Sequence, residues 1–126
     1  MLKNVDKLLT GDLLKVLCDM GHGDELVIAD ANFPSHSVAQ RLISLPGKSG
    51  VEVLKSVLSV FPLDIYSSPA FIMDMTDGDK QKMTEPEIWK DYKKLTGGVE
   101  KLERFEFYER AKKAYCVIAT GEERQY

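Results

Sequence analysis

The sequence predicts an α/β fold: a single compact domain with a central mixed or mostly parallel sheet covered by helices. Three observations predict it. Short apolar runs rich in β-branched residues, above all 26–29 and 115–119, alternate with longer stretches of helical periodicity. Those runs are apolar throughout, as strands covered on both faces require. Capping and stopping residues stand at the borders between the two kinds of segment.

Taken in order, residues 10–20 read as a first helix, capped by Thr10, with Asp12 in its first turn and Gly21 to end it. Leu13, Val16, Leu17 and Met20 share one face. Leu26 to Ala29 is a buried strand closed by Asp30. Asn32-Phe33-Pro34 breaks regular structure, and Ser35 to Ser37 continue the loop. Val38 to Leu45 reads as a second strand, and Pro46-Gly47-Lys48 as a turn. Ser49 and Glu52 form a capping box for a helix whose apolar face is Leu54, Val57, Leu58 and Phe61, stopped by Pro62. Phe71, Met73 and Met75 alternate as in a strand. Thr84-Glu85-Pro86-Glu87 reads as a second capping box, for a helix ended by Gly97-Gly98. Residues 99–103 make a short strand, Arg104 to Ala114 a helix, and Tyr115 to Ala119 a buried strand closed by Thr120-Gly121.

Composition narrows the function classes. At 126 residues, 44% hydrophobic and 29% charged, the chain suits one globular domain. Its net charge of −3 comes without a basic patch, which disfavours nucleic acid as a partner. Cys18 and Cys116 each sit in an apolar run and read as small buried hydrophobes, so neither a disulfide framework nor a zinc site is expected. No apolar stretch is long enough for a signal peptide or a membrane span. A reducing cytoplasm is the natural location. Dinucleotide, P-loop and serine-hydrolase motifs are missing, and His36 lies at no metal-ligand spacing from His22. No metal and no cofactor are expected.

The candidate chemistry rests on few residues. His22 lies between Gly21 and Gly23, where glycines let the backbone turn and expose an imidazole that exchanges protons near neutral pH. It reads equally well as a solvated loop histidine. Asp30 closes a buried strand at its carboxyl end, where α/β folds usually bind ligands. A turn or capping role fits it slightly better on pattern alone, and Asp24 serves a turn. Arg104 and Tyr108, four apart, share a helix face. A guanidinium and a phenol can hold a sugar there, although the pattern favours ordinary core packing of Phe105 and Tyr108. Lys112-Lys113 is a solvated face.

Several segments together resemble the RbsD/FucU family of sugar mutarotases and pyranases. They are Leu13-Leu14-Lys15-Val16-Leu17, Met20-Gly21-His22-Gly23-Asp24-Glu25, Ala29-Asp30-Ala31-Asn32-Phe33-Pro34 and Pro62-Leu63-Asp64. The resemblance continues through Glu103 to Ala111, Ala119-Thr120-Gly121-Glu122 and Tyr126. Asn32-Phe33-Pro34 and Phe107-Tyr108-Glu109-Arg110 look like the L-fucose mutarotase branch rather than the ribose pyranases. The resemblance implies an RbsD-like fold over residues 1–126, interconversion of the α and β anomers of L-fucose, and a homo-oligomeric ring, commonly of ten subunits. It implies His22 as proton donor, and Asp30, Asp64, Arg104, Tyr108 and Tyr126 as sugar contacts. Family members continue past Tyr126 with Gly-Asn and an apolar strand, so by this resemblance the chain lacks the family's last strand and an asparagine contact. Two other readings stay open: a D-ribose pyranase activity, and a sugar-binding or regulatory subunit without turnover.

One geometric constraint follows from the sequence. His22 and Asp30 flank a strand that rises about 3.3 Å per residue. Either residues 22–25 fold back, or the site combines residues from neighbouring subunits.

Overall fold

A computed structural model describes all residues, Met1–Tyr126. Its elements are α1 (Gly11–Asp19), β1 (Leu26–Ala29), α2 (Ser35–Val38), β2 (Leu42–Leu45), α3 (Gly50–Leu58) and β3 (Phe71–Met73). These are followed by α4 (Asp77–Lys82), α5 (Ile88–Thr96), β4 (Glu100–Leu102), α6 (Arg104–Lys113) and β5 (Cys116–Thr120). Every strand pairing is parallel. β5 lies between β1 and β2 in a three-stranded sheet, and β3 pairs with β4 in a separate two-stranded one. No helix is long and apolar enough to cross a membrane.

The central strand is the most apolar. Cys116, Val117 and Ile118 are fully buried, as a middle strand with both faces covered requires. Leu13 and Leu17 of α1 and Val53 and Val57 of α3 pack with Leu9 and Ile118 in one cluster. Ile72, Met75, Ile88 and Trp89 form a second cluster between the small sheet and α5. α3 packs against α5 and so joins the two. Each fully buried aliphatic side chain contributes about 1.5–3 kcal/mol.

The predicted caps of α1 and α3 are present. Thr10 accepts from the Leu13 N–H at 3.3 Å, and Ser49 and Glu52 make both bonds of the capping box. Gly97, at φ 82°, closes α5 in the left-handed conformation that favours glycine.

Other expectations need correction. Cys18 is exposed, because it stands one residue, about 100° of helix, beyond the buried Leu13–Leu17 stripe. α1 stops at Asp19 with Met20 extended, so Gly21 does not cap it. The strand expected over 38–45 is only Leu42–Leu45. Pro34 instead opens a short helical turn, its carbonyl accepting from the Val38 N–H at 3.1 Å. Thr84 caps nothing: α5 starts after Pro86, whose carbonyl accepts from the Trp89 N–H. Like α2, which was read as loop, α4 was not anticipated; it is capped by Thr76. It buries no residue and so carries no apolar period.

Candidate functional site

A cavity of about 1060 Å³ is lined by all six residues singled out from the sequence: His22, Asp30, Asp64, Arg104, Tyr108 and Tyr126. Five of them fall into two groups at opposite ends of β1, and Tyr126 stands apart from both.

The first group precedes β1. The Asp24 N–H donates to the Gly21 carbonyl at 3.1 Å, and the Asp24 carboxylate accepts from the Gly21 N–H at 2.7 Å. Asp24 therefore serves the turn, as the sequence suggested, and Gly23 sits at φ 87° within it. This turn presents His22, whose imidazole meets the Tyr66 ring edge-on at 5.9 Å. Asp64 accepts from the Tyr66 N–H at 2.8 Å and from the Ser67 hydroxyl at 2.9 Å. Those bonds lower its pKa, the backbone bond most, and His22 lowers it a little further. Tyr66 was not anticipated. It lies in an irregular segment where no periodicity marks any residue.

The second group follows β1. Asp30 accepts from the Asn32 N–H at 2.8 Å and the Phe33 N–H at 3.0 Å, both on Oδ1. One oxygen thus makes the turn, and Oδ2 has no protein donor. Phe33 packs against Tyr108 at 5.6 Å and Phe107 at 5.9 Å, which fixes the start of α6 over the end of β1. Arg104 stands 5.5 Å from the Tyr108 ring, and that phenol raises its pKa further. Two polar links lock this sheet edge: Thr120 Oγ1 donates to the Ala29 carbonyl at 2.7 Å, and the Ala31 N–H donates to the Glu122 carbonyl at 2.8 Å.

Tyr126 reaches the cavity from a third direction. Its hydroxyl donates to Asp79 and accepts from the Thr76 N–H at 3.3 Å, while its carbonyl accepts from the Trp89 indole at 3.2 Å. Its phenol is thus committed to the start of α4.

The four residues of β1 span about 13 Å. Residues 21–24 do turn, but that turn stands at the far end of β1 from Asp30. Chemically, the histidine end offers a proton carrier beside a carboxylate, and the Asp30 end offers an acceptor, a cation and a phenol. No three His, Cys, Asp or Glu side chains converge where they could hold a metal ion.

The family model described as the RbsD / FucU transport protein family matches residues 3–126. The chain belongs to this family. Within the RbsD/FucU proteins it is 48% identical over 131 residues to the fucose mutarotase of Mus musculus, aligning 96% of this chain with 86% of that one. It matches the fucose mutarotase from Streptococcus pneumoniae, solved in complex with L-fucose, with a TM-score of 0.88 and 43% identity, over 97% of this chain and 90% of that chain. RbsD of Bacillus subtilis, complexed with D-ribose, stands further off. Its TM-score is 0.70 at 26% identity, over 100% of this chain and 92% of that one. The RbsD/FucU fold thus carries both branches, and this chain lies nearer the fucose one.

Proposed function

We propose that this chain is an L-fucose mutarotase, an isomerase that interconverts α and β anomers by general acid–base ring opening and closing. The observation that carries this reading is the likeness in fold and sequence to the pneumococcal enzyme holding L-fucose. The greater distance from the ribose-bound relative favours it over a pyranase.

The reaction moves protons only. A base takes the proton from the anomeric hydroxyl as the ring oxygen is protonated. The bond between the anomeric carbon and the ring oxygen breaks to give the open-chain aldehyde. The carbonyl rotates, and the ring oxygen returns to its other face. In this reading His22 carries the proton to and from the ring oxygen, with Tyr66 edge-on beside the imidazole. Asp64 supports that end of the site. Asp30 Oδ2 accepts from a sugar hydroxyl, and Arg104, Tyr108 and Tyr126 line the sugar's resting place.

We read the working protein as a cytoplasmic homo-oligomeric ring. The separation of the two groups by the length of β1 supports sites completed by a neighbouring subunit. So do Ile65 and Tyr66, 85% and 83% exposed beside His22. A clean monomer in light scattering that kept full activity would overturn this.

Saturation-transfer proton NMR on L-fucose tests the activity. Exchange between the anomeric signals should accelerate with protein, more for L-fucose than for D-ribose. The reverse preference would establish the pyranase. Saturable binding with unchanged exchange would establish a binding subunit.

A further inference from the structure

The carboxyl-terminal edge of the three-stranded sheet carries a phenol that the mechanism above does not use. Tyr92 stands on α5 one turn after Ile88 and Trp89, half-buried against their cluster, and it lines the same cavity as Asp30. Its hydroxyl lies over Gly50, the first residue of α3. A Cβ on Gly50 would stand 2.4 Å from the Tyr92 oxygen, so only glycine leaves room for the phenol there.

The neighbouring carboxylate cannot take the Tyr92 proton. Glu122 Oε1 accepts from the Arg124 N–H at 3.1 Å and Nε at 2.8 Å. Its Oε2 accepts from the Gly50 N–H at 3.2 Å and Arg124 Nη2 at 3.0 Å. Two bonds on each oxygen use all four lone-pair positions of a carboxylate. The Tyr92 hydroxyl has no partner among the hydrogen bonds of its surroundings, in which only its backbone carbonyl serves, accepting from Thr96. Asp30 directly precedes Ala31, whose N–H donates to the Glu122 carbonyl, and its Oδ2 is an acceptor without a donor, since both turn bonds fall on Oδ1. A free donor and a free acceptor together fit a hydroxyl group, which accepts one bond and gives another.

We propose that Tyr92 is a specificity-determining residue: its phenol donates to the sugar hydroxyl that in turn donates to Asp30. This rests on the mutarotase reading. Burial first, and then the charge of Glu122, push the Tyr92 pKa up to about 12, with Asp30 adding a smaller push. The phenol therefore stays a donor at neutral pH.

Tyr92→Phe keeps the ring and removes the donor. Anomer exchange and calorimetric titration are measured for both proteins with L-fucose and its monodeoxy analogues. The expected result is a KM and Kd for L-fucose raised about five- to tenfold, with kcat changed by less than about twofold, because a uniform ground-state and transition-state contact is lost. The analogue lacking the contacted hydroxyl should bind equally poorly to both proteins. Gly50→Ala, which displaces the phenol, should reproduce the rise. An unchanged Kd in Tyr92→Phe, or an equal rise for every analogue, overturns the proposal. Wild type that binds L-fucose without accelerating exchange overturns the mutarotase reading alone, and the Kd pattern then still decides Tyr92. Wild type that binds no L-fucose overturns both.

Discussion

Removing the charge of Glu122 should convert an acid-sensitive protein into one that is weaker but less pH-dependent. Glu122 is only 6% exposed, and its pKa falls from an ordinary 4.5 to about 2, first through the Arg124 side chain and then through the backbone N–H groups of Arg124 and Gly50. A depression of that size corresponds to about 3 kcal/mol at neutral pH. Arg124 is half exposed, so solvent screening reduces the figure to about 2 kcal/mol. The sign follows from a folded-state pKa below the unfolded one. The stabilisation is complete above about pH 5 and is lost as the pH falls toward 2. Glu122→Gln can still accept from Gly50 but forfeits the ion pair. Urea denaturation should place it about 2 kcal/mol below wild type at pH 7 and within about 1 kcal/mol at pH 3. Equal deficits at both pH values, or none at pH 7, would refute the assignment of Glu122 as an ionised clamp between β5 and α3.

Three further outcomes are expected. Gly121→Ala would set a Cβ 2.0 Å from the Pro46 carbonyl oxygen and strain the 2.8 Å bond from its own N–H to Lys48. It should cost about 3 kcal/mol, which calorimetry would read as a Tm lowered by about 10 °C. Ser49→Ala removes the acceptor for the Glu52 N–H and should cost about 1 kcal/mol in the same assay. His22→Ala should slow anomer exchange by about 10²- to 10⁴-fold while leaving thermal unfolding unchanged, and full activity in that variant would remove His22 from the mechanism.

How much of this was legible in the sequence depended on the kind of signal. β1 and β5 announced themselves because a buried strand must be apolar throughout, and α3 because Ser49 and Glu52 encode both halves of its cap. α4 was invisible: it is held by Thr76 and by Tyr126, fifty residues from Thr76, rather than by an apolar face. Pro34 was read as a breaker when its fixed φ instead opened a turn of helix. In the site, glycines and a strand end flag His22 and Asp30 locally as candidates, while the roles proposed for them came from the family resemblance. Tyr66 and Tyr92 were not flagged, since what brings each to the cavity is a contact with a distant segment, the His22 turn for one and the missing side chain of Gly50 for the other. The division of five parallel strands into two sheets is likewise a matter of long-range pairing that no local pattern records.

The position of β5 between β1 and β2 sets a timetable for synthesis. β1 and β2 pair with no strand but β5, so both leave the ribosome with open edges and must wait for residues 116–120. At ordinary elongation rates the wait after β2 is about 4 to 15 s, long compared with the formation of α1 or α3. The apolar edges of Leu26–Ala29 and Leu42–Leu45 are therefore bare in every nascent chain, and a chain interrupted before Cys116 has no three-stranded sheet to form.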